Sequence, residues 1–173
     1  MFATIYVPNF YLQAALRHQP ELGGRPVALI DAQEAKAVII QLNEVAVAAG
    51  VRCGMSPSQG LARDLQLVVK TRMRGQEKLL DDLLLHFACT LAPYVEATAP
   101  GVCTVQFTDA KHVLRNVERV IEQLTQTDIS AQAGIAPTPD ASLLAAHLAK
   151  PVLQVDDARD FLAPLPIETL AIG

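Results

Sequence analysis

Short apolar runs broken by polar or Gly/Pro turns constrain this chain more than any other feature. Residues 2 to 7 ("FATIYV") read as a buried strand, and "PVALID", "AVIIQL" and "LQLVVK" read as further strands of nearly continuous apolar character. "NEVAVAAGV" reads as a helix closed near Gly50, and "SPSQGLARD" as one opened by Ser56 with Pro57 at its first position. From Arg72 onward the period lengthens. "MRGQEKLLDDLLLHFACTLA" places Leu79, Leu80, Leu83, Leu84 and Phe87 on one helical face, and a second amphipathic helix covers roughly Lys111 to Thr125. Between them "YVEAT" and "VCTVQFT" flank Pro100-Gly101 as a hairpin that should lie centrally in a sheet beside residues 2 to 7. "ISAQAGIA" is then a strand, and "DASLLAAHLAK" a helix that Pro151 stops. This succession predicts an α/β (α+β) chain: a ferredoxin-like, mostly antiparallel mixed sheet backed by two helices, with a small α/β insert.

Charge limits what such a chain can grip. Its formal net charge is −4, with 14 Lys and Arg interspersed among 18 acids. A domain that holds nucleic acid unaided presents a basic face, so tight DNA binding is disfavoured. Cys53, Cys89 and Cys103 are odd in number and scattered, which points to reduced thiols in a cytoplasm. His18, His86, His112 and His147 share no metal-ligand spacing with one another or with those cysteines. No apolar run approaches the ~18 to 20 residues that cross a bilayer, so no membrane role is expected.

The junction "IYVPNFYLQAAL" is the natural place to look for chemistry, because a strand there hands over directly to a helix. It carries no acid, no thiol and no histidine.

Several segments together resemble the N-terminal half of the Y-family (translesion) DNA polymerases. "RPVALI", "AAGVRCGMSPSQGLAR", "LAPYVEATAPG", "QAGIA" and "AAHLAKP" are similar to successive landmarks of that family, in order and at matching spacing. The resemblance implies a palm at 1–18 and 72–160, fingers at 19–71, and the start of a helix-hairpin-helix thumb at 161–173, carried by "LPIETLAIG" at 165–173. In that family three carboxylates hold two metal ions that carry the nucleotide and activate the primer 3′-hydroxyl. Their positions fall here on Tyr6, Gly101 and Val102, none of which is an acid. On this resemblance the junction is a metal site without its ligands, and neither a metal nor another cofactor is expected.

The family's triphosphate-holding Tyr and Arg fall on Glu44 and Val47, a repelling acid and a side chain without donors. Tyr11, at the position that excludes a ribose 2′-hydroxyl, and Lys150, at a phosphate contact, match the family. Each also has a plainer reading, Tyr11 as packing and Lys150 as a solvated cation at a helix end. Glu96 and Asp109 lie near the hairpin, but Asp109 reads as the cap of the next helix and neither has a partner on the first strand.

Within the family the chain most resembles ImuB-type proteins, which lack the metal-binding acids. That resemblance implies a non-enzymatic adaptor in bacterial DNA-damage-induced mutagenesis. Its partners would be an error-prone replicative-type DNA polymerase, a RecA-like accessory protein and the sliding clamp. An active divergent polymerase or nucleotidyl transferase, and a nucleotide-sensing domain without turnover, are the alternatives.

Overall fold

The first strand, β1 (Phe2–Tyr6), is the centre of a five-stranded sheet in the computed structural model, which describes residues 1–31, 37–109 and 111–170. Contacts divide the chain into two compact units, Met1–Pro8 with Asp81–Gly173, and Asn9–Leu80.

In the larger unit, the long helix α4 (Arg74–Cys89), which enters it at Asp81, leads into strand β5 (Tyr94–Ala99), a tight turn and strand β6 (Val102–Gln106). Helix α5 (Val113–Gln126), strand β7 (Gln132–Ala136), helix α6 (Pro139–Leu148) and strand β8 (Val152–Gln154) follow. The spatial order is β5-β6-β1-β7-β8, antiparallel except for the β7–β8 pair. Leaving out β8, the strands in chain order sit 4-1-3-2 from the β7 side, the ferredoxin-like arrangement expected. Alternation along β1 explains why this strand is central. Ala3, Ile5 and Val7 are buried on one face and Thr4 on the other, so both faces are covered. Full burial of Ile5, Val105 and Ile135 is worth up to about 2 kcal/mol each.

Gly134 and Thr4 are register partners on the face that helix α6 covers. A Cβ at Gly134 would lie 2.2 Å from both the Ala146 nitrogen and the Ser142 carbonyl oxygen, so only glycine lets α6 approach this closely. Ala141, Ala145 and Ala146 keep the helix side equally small, and all three are buried. Ser142 meets the Thr4 hydroxyl at 2.7 Å, and Thr4 meets Thr104 at 3.1 Å. Helix α6 therefore packs on the sheet face opposite to the one that buries Ile5.

Several details differ from the sequence reading. The hairpin is not wholly central, because its first strand β5 is the sheet edge and only β6 lies beside β1. Strand β8 is three residues with no buried alternation, too short to leave a pattern. Leu79 is 54 % exposed, and the buried positions of α4 are Glu77, Leu80, Leu84 and Ala88. Helix α5 starts at Val113 behind a left-handed His112, so Asp109 does not cap it; its carboxylate accepts instead from the Lys111 amide at 2.9 Å. The tail forms a short helix, α7 (Ala158–Leu162), and a single 3₁₀ turn at Ile167–Leu170. The last three residues of the expected thumb start lie outside the described residues.

The smaller unit has a three-stranded sheet, β3-β2-β4, from β2 (Val27–Ile30), β3 (Ile39–Leu42) and β4 (Val68–Thr71). Helix α1 (Phe10–Leu16) covers one face, packing Leu12 and Ala15 on Val27 and Leu29. Helices α2 (Glu44–Ala48) and α3 (Pro57–Arg63) flank the other, where Ala46, Val51 and Leu67 meet Ala28 and Ile39. Ser56 and Gln59 close a capping box on α3, with Pro57 in its first turn. Gly50 ends α2 with φ of 85°. The unit boundaries fall at Pro8/Asn9 and Leu80/Asp81, where the sequence reading placed them at 18/19 and 71/72. Helix α1 lies on the smaller sheet because its buried face matches that sheet's apolar side. The first turns of α4 are tied to the same unit by an Arg72–Glu77 ion pair.

Candidate functional site

The end of β1 and the β5–β6 turn form one corner of the larger unit. Tyr6 is the last residue of β1 and is the direct register partner of Val102, the first residue of β6. The Val7 amide donates to the Gly101 carbonyl at 2.9 Å. Gly101 holds φ at 72°, a conformation that suits glycine in this turn. Its own amide donates to the Asp81 carboxylate at 2.8 Å, which pins the turn to α4. Tyr6, Gly101 and Val102 are thus neighbours in space, as the resemblance requires of three positions drawn from adjacent strands.

What fills the corner is packing. The Tyr6 ring lies on the His147 imidazole of α6, with centroids 4.0 Å apart and planes 30° from parallel. Val102 is buried. Burial raises the Tyr6 pKa and lowers that of His147, so both groups are held in their neutral forms. Two bound divalent ions need several carboxylate oxygens, and the three positions offer a phenol, a hydrogen atom and an isopropyl group. These residues do not fit a two-metal centre. Among the described residues, no group of three His, Cys, Asp or Glu side chains could hold a metal ion.

The other predicted residues are distributed as follows. Lys150 is exposed just past α6, three residues beyond His147. Glu44 is the first residue of α2, and Val47 lies one turn on; both are exposed. An acid at a helix N-terminus is favoured by the dipole, so Glu44 has a local reason to be there. Glu96 is exposed on β5. Tyr11, on α1, is not a free ring: the Arg72 guanidinium sits 3.8 Å above its centroid. Arg72 in turn makes a two-pronged ion pair with Glu77 (2.9 and 2.6 Å) and reaches Asp31 at 3.4 Å. The bond to Glu77 raises the already high Arg72 pKa.

Sequence reasoning missed His147, Asp81 and Arg72. Each acts by reaching another element, and a single chain prints no signal for that. Cys103, at the foot of β6, is buried and its thiol is pushed up to about 12 by desolvation.

Comparison with known proteins places these features. Residues 5–147 match the model of the impB/mucB/samB (IMS) family. The chain is 29% identical over 171 residues to DNA polymerase IV of Pseudomonas savastanoi pv. phaseolicola, covering 93% of this chain and 48% of that protein. DNA polymerase IV of Shewanella pealeana is 27% identical over 168 residues. The chain spans about half the length of the curated relatives it matches. Among solved structures it resembles a post-insertion binary complex of Dbh DNA polymerase with a TM-score of 0.86 at 16% identity, over 97% of this chain and 52% of that one. DinB from Sulfolobus solfataricus gives 0.83 at the same identity, covering 99% and 53%. The expectation that this protein is not an enzyme is corrected by these names, since the relatives aligned with most of it are DNA polymerases. The substitutions at Tyr6, Gly101 and Val102 describe one corner of the palm and do not by themselves define activity. The chain belongs to the impB/mucB/samB family, and its two units are the palm and fingers of a Y-family DNA polymerase fold.

Proposed function

We propose that this chain is the palm and fingers of a protein that serves bacterial DNA-damage-induced mutagenesis and translesion synthesis as an adaptor. On this reading it holds an error-prone replicative-type DNA polymerase, a RecA-like accessory protein and the sliding clamp together in the cytoplasm. The observation that carries the reading is the Tyr6–His147 stack opposite Val102, which gives the palm corner a packing role. Charge supports it. The palm unit has five Lys and Arg against twelve acids, a formal −7, while the fingers have nine against six, +3. Alone, this chain should hold primer-template DNA no better than the ~10⁻⁴ to 10⁻⁶ M of non-specific contacts at physiological salt, as read by fluorescence anisotropy.

The test of the adaptor role is reconstitution of the full-length protein with the three purified partners on a sizing column. Co-elution of two or more partners with it is expected, and elution of every partner alone would overturn the reading. A second reading, a divergent active polymerase, is favoured by the names of the curated relatives. Primer extension by the full-length protein, together with saturable micromolar binding of dATP and Mg²⁺ by this chain in a calorimeter, would select it.

A further inference from the structure

The palm sheet ends on one side at β5, and among the described residues no strand lies beyond it. This edge has one protective device, a register shift in the pairing with β6 between Ala97 and Ala99, which leaves Tyr94 to Ala97 in regular register. Its burial pattern is exposed at every residue except Val95, Tyr94 is 60 % exposed, and the strand has no proline, no lysine and a single charge, Glu96. An edge of this kind presents unpaired amides and carbonyls to any extended chain. Beneath it lies a cavity of about 270 Å³ between α4 and the hairpin, lined by Leu84, Leu85, Ala97, Ala99, Val102 and Cys103. Its one charged lining group is Asp81, whose carboxylate accepts from the Gly101 amide.

We propose that the outer edge of β5 is a docking strand for an extended, alternately basic and apolar segment of a partner protein. The alternation follows from the pleat. Val95 and Ala97 pair with Val105 and Cys103, and Ala97 lines the cavity, so every second side chain of an added strand would enter apolar space below α4. The remaining side chains would stand beside Glu96, which pairs with Thr104 on the opposite face. Opposite charges across neighbouring strands stabilise pairing and like charges oppose it. The formal −7 of the palm unit therefore selects a basic partner and disfavours a second copy of this chain on the same edge. This surface belongs to the palm alone. It holds whether the full-length protein bridges partners or polymerises DNA.

The test uses this chain and a blocked peptide alternating lysine with valine, matched to the six residues of β5. Amide hydrogen exchange at Val95 to Ala99 should slow by about tenfold or more at saturating peptide. The same peptide with glutamate in place of lysine should give no protection. Glu96→Lys should weaken the lysine peptide about fivefold, and Ala97→Leu, which fills the cavity from the protein's side, should weaken it as well. No slowing with the lysine peptide, or equal slowing with both peptides, would overturn the proposal. So would protection that grows with protein concentration in the absence of peptide, which would put a second copy on β5.

Discussion

The palm and the fingers reach a folded state by different means. The palm sheet is five strands wide, buries β1 on both faces and brings α6 against β7 through glycine and alanine. Among the described residues the fingers have a three-stranded sheet and two small apolar clusters, and their elements are pinned by polar groups at defined points. Asn43 alone accepts from the Val27 and Ala46 amides and donates to the Arg25 carbonyl at 2.6 Å. Arg72 draws Glu77, Asp31 and the Tyr11 ring into one cluster. A small unit buries a smaller fraction of its surface, so polar contacts carry a larger share of its stability. The lesson is that the palm should fail through lost fit and the fingers through lost hydrogen bonds and charges.

The largest effect is expected at Gly134. Gly134→Ala forces a methyl group into backbone atoms of α6 rather than into a flexible side chain. The helix must move off the sheet, at a cost of about 3 kcal/mol or more. Urea unfolding followed at palm and fingers probes separately should show the palm midpoint falling far more than the fingers midpoint. An unchanged palm midpoint would break the claim that close fit holds this unit.

Next comes Arg72→Met in the fingers. It leaves the Glu77 carboxylate, itself buried, without its two-pronged partner. Removing one member of a partly buried pair costs about 2 to 3 kcal/mol. It also frees the Tyr11 ring, which should show as narrowed and shifted ring resonances in proton NMR. Asn43→Ala follows at about 2 kcal/mol, because a helix cap is lost and two amides and a carbonyl lose their partner. A loss under half a kcal/mol in the fingers midpoint would show that apolar packing dominates there too.

How much of this was legible in the sequence follows from the same contrast. The strands of the palm and its ferredoxin-like order could be read because alternation and helical period are local signals, as at Ala3, Ile5 and Val7. The Ser56 cap was legible for the same reason, since its partner Gln59 lies three residues away. Position in the sheet was not: β5 and β6 look alike as sequence, and only the fold puts one at the edge. Nor could the chain show that Tyr6 would lie on His147, 141 residues later, or that Arg72 would cover Tyr11. The corner formed by Tyr6, Gly101 and Val102 was located through family resemblance. What fills that corner became visible only in three dimensions.

The smallest expected effect tests whether the palm also depends on a polar group. His147 has its pKa lowered by burial, so the folded palm binds its proton less readily than the unfolded chain does. A depressed folded pKa gives stability that is present above the unfolded value of 6.5 and is lost as pH falls below it. Protonation would also place a cation against the Tyr6 ring, whose face tolerates it, and half of the histidine remains near solvent. Both facts keep the effect small. The urea midpoint of the palm should therefore decline only gently between pH 7 and pH 5. His147→Gln, which cannot titrate in that range, should remove the part of the decline that belongs to this residue. A variant that keeps the full slope would assign the acid sensitivity to the palm's carboxylates and leave the Tyr6–His147 contact as packing alone.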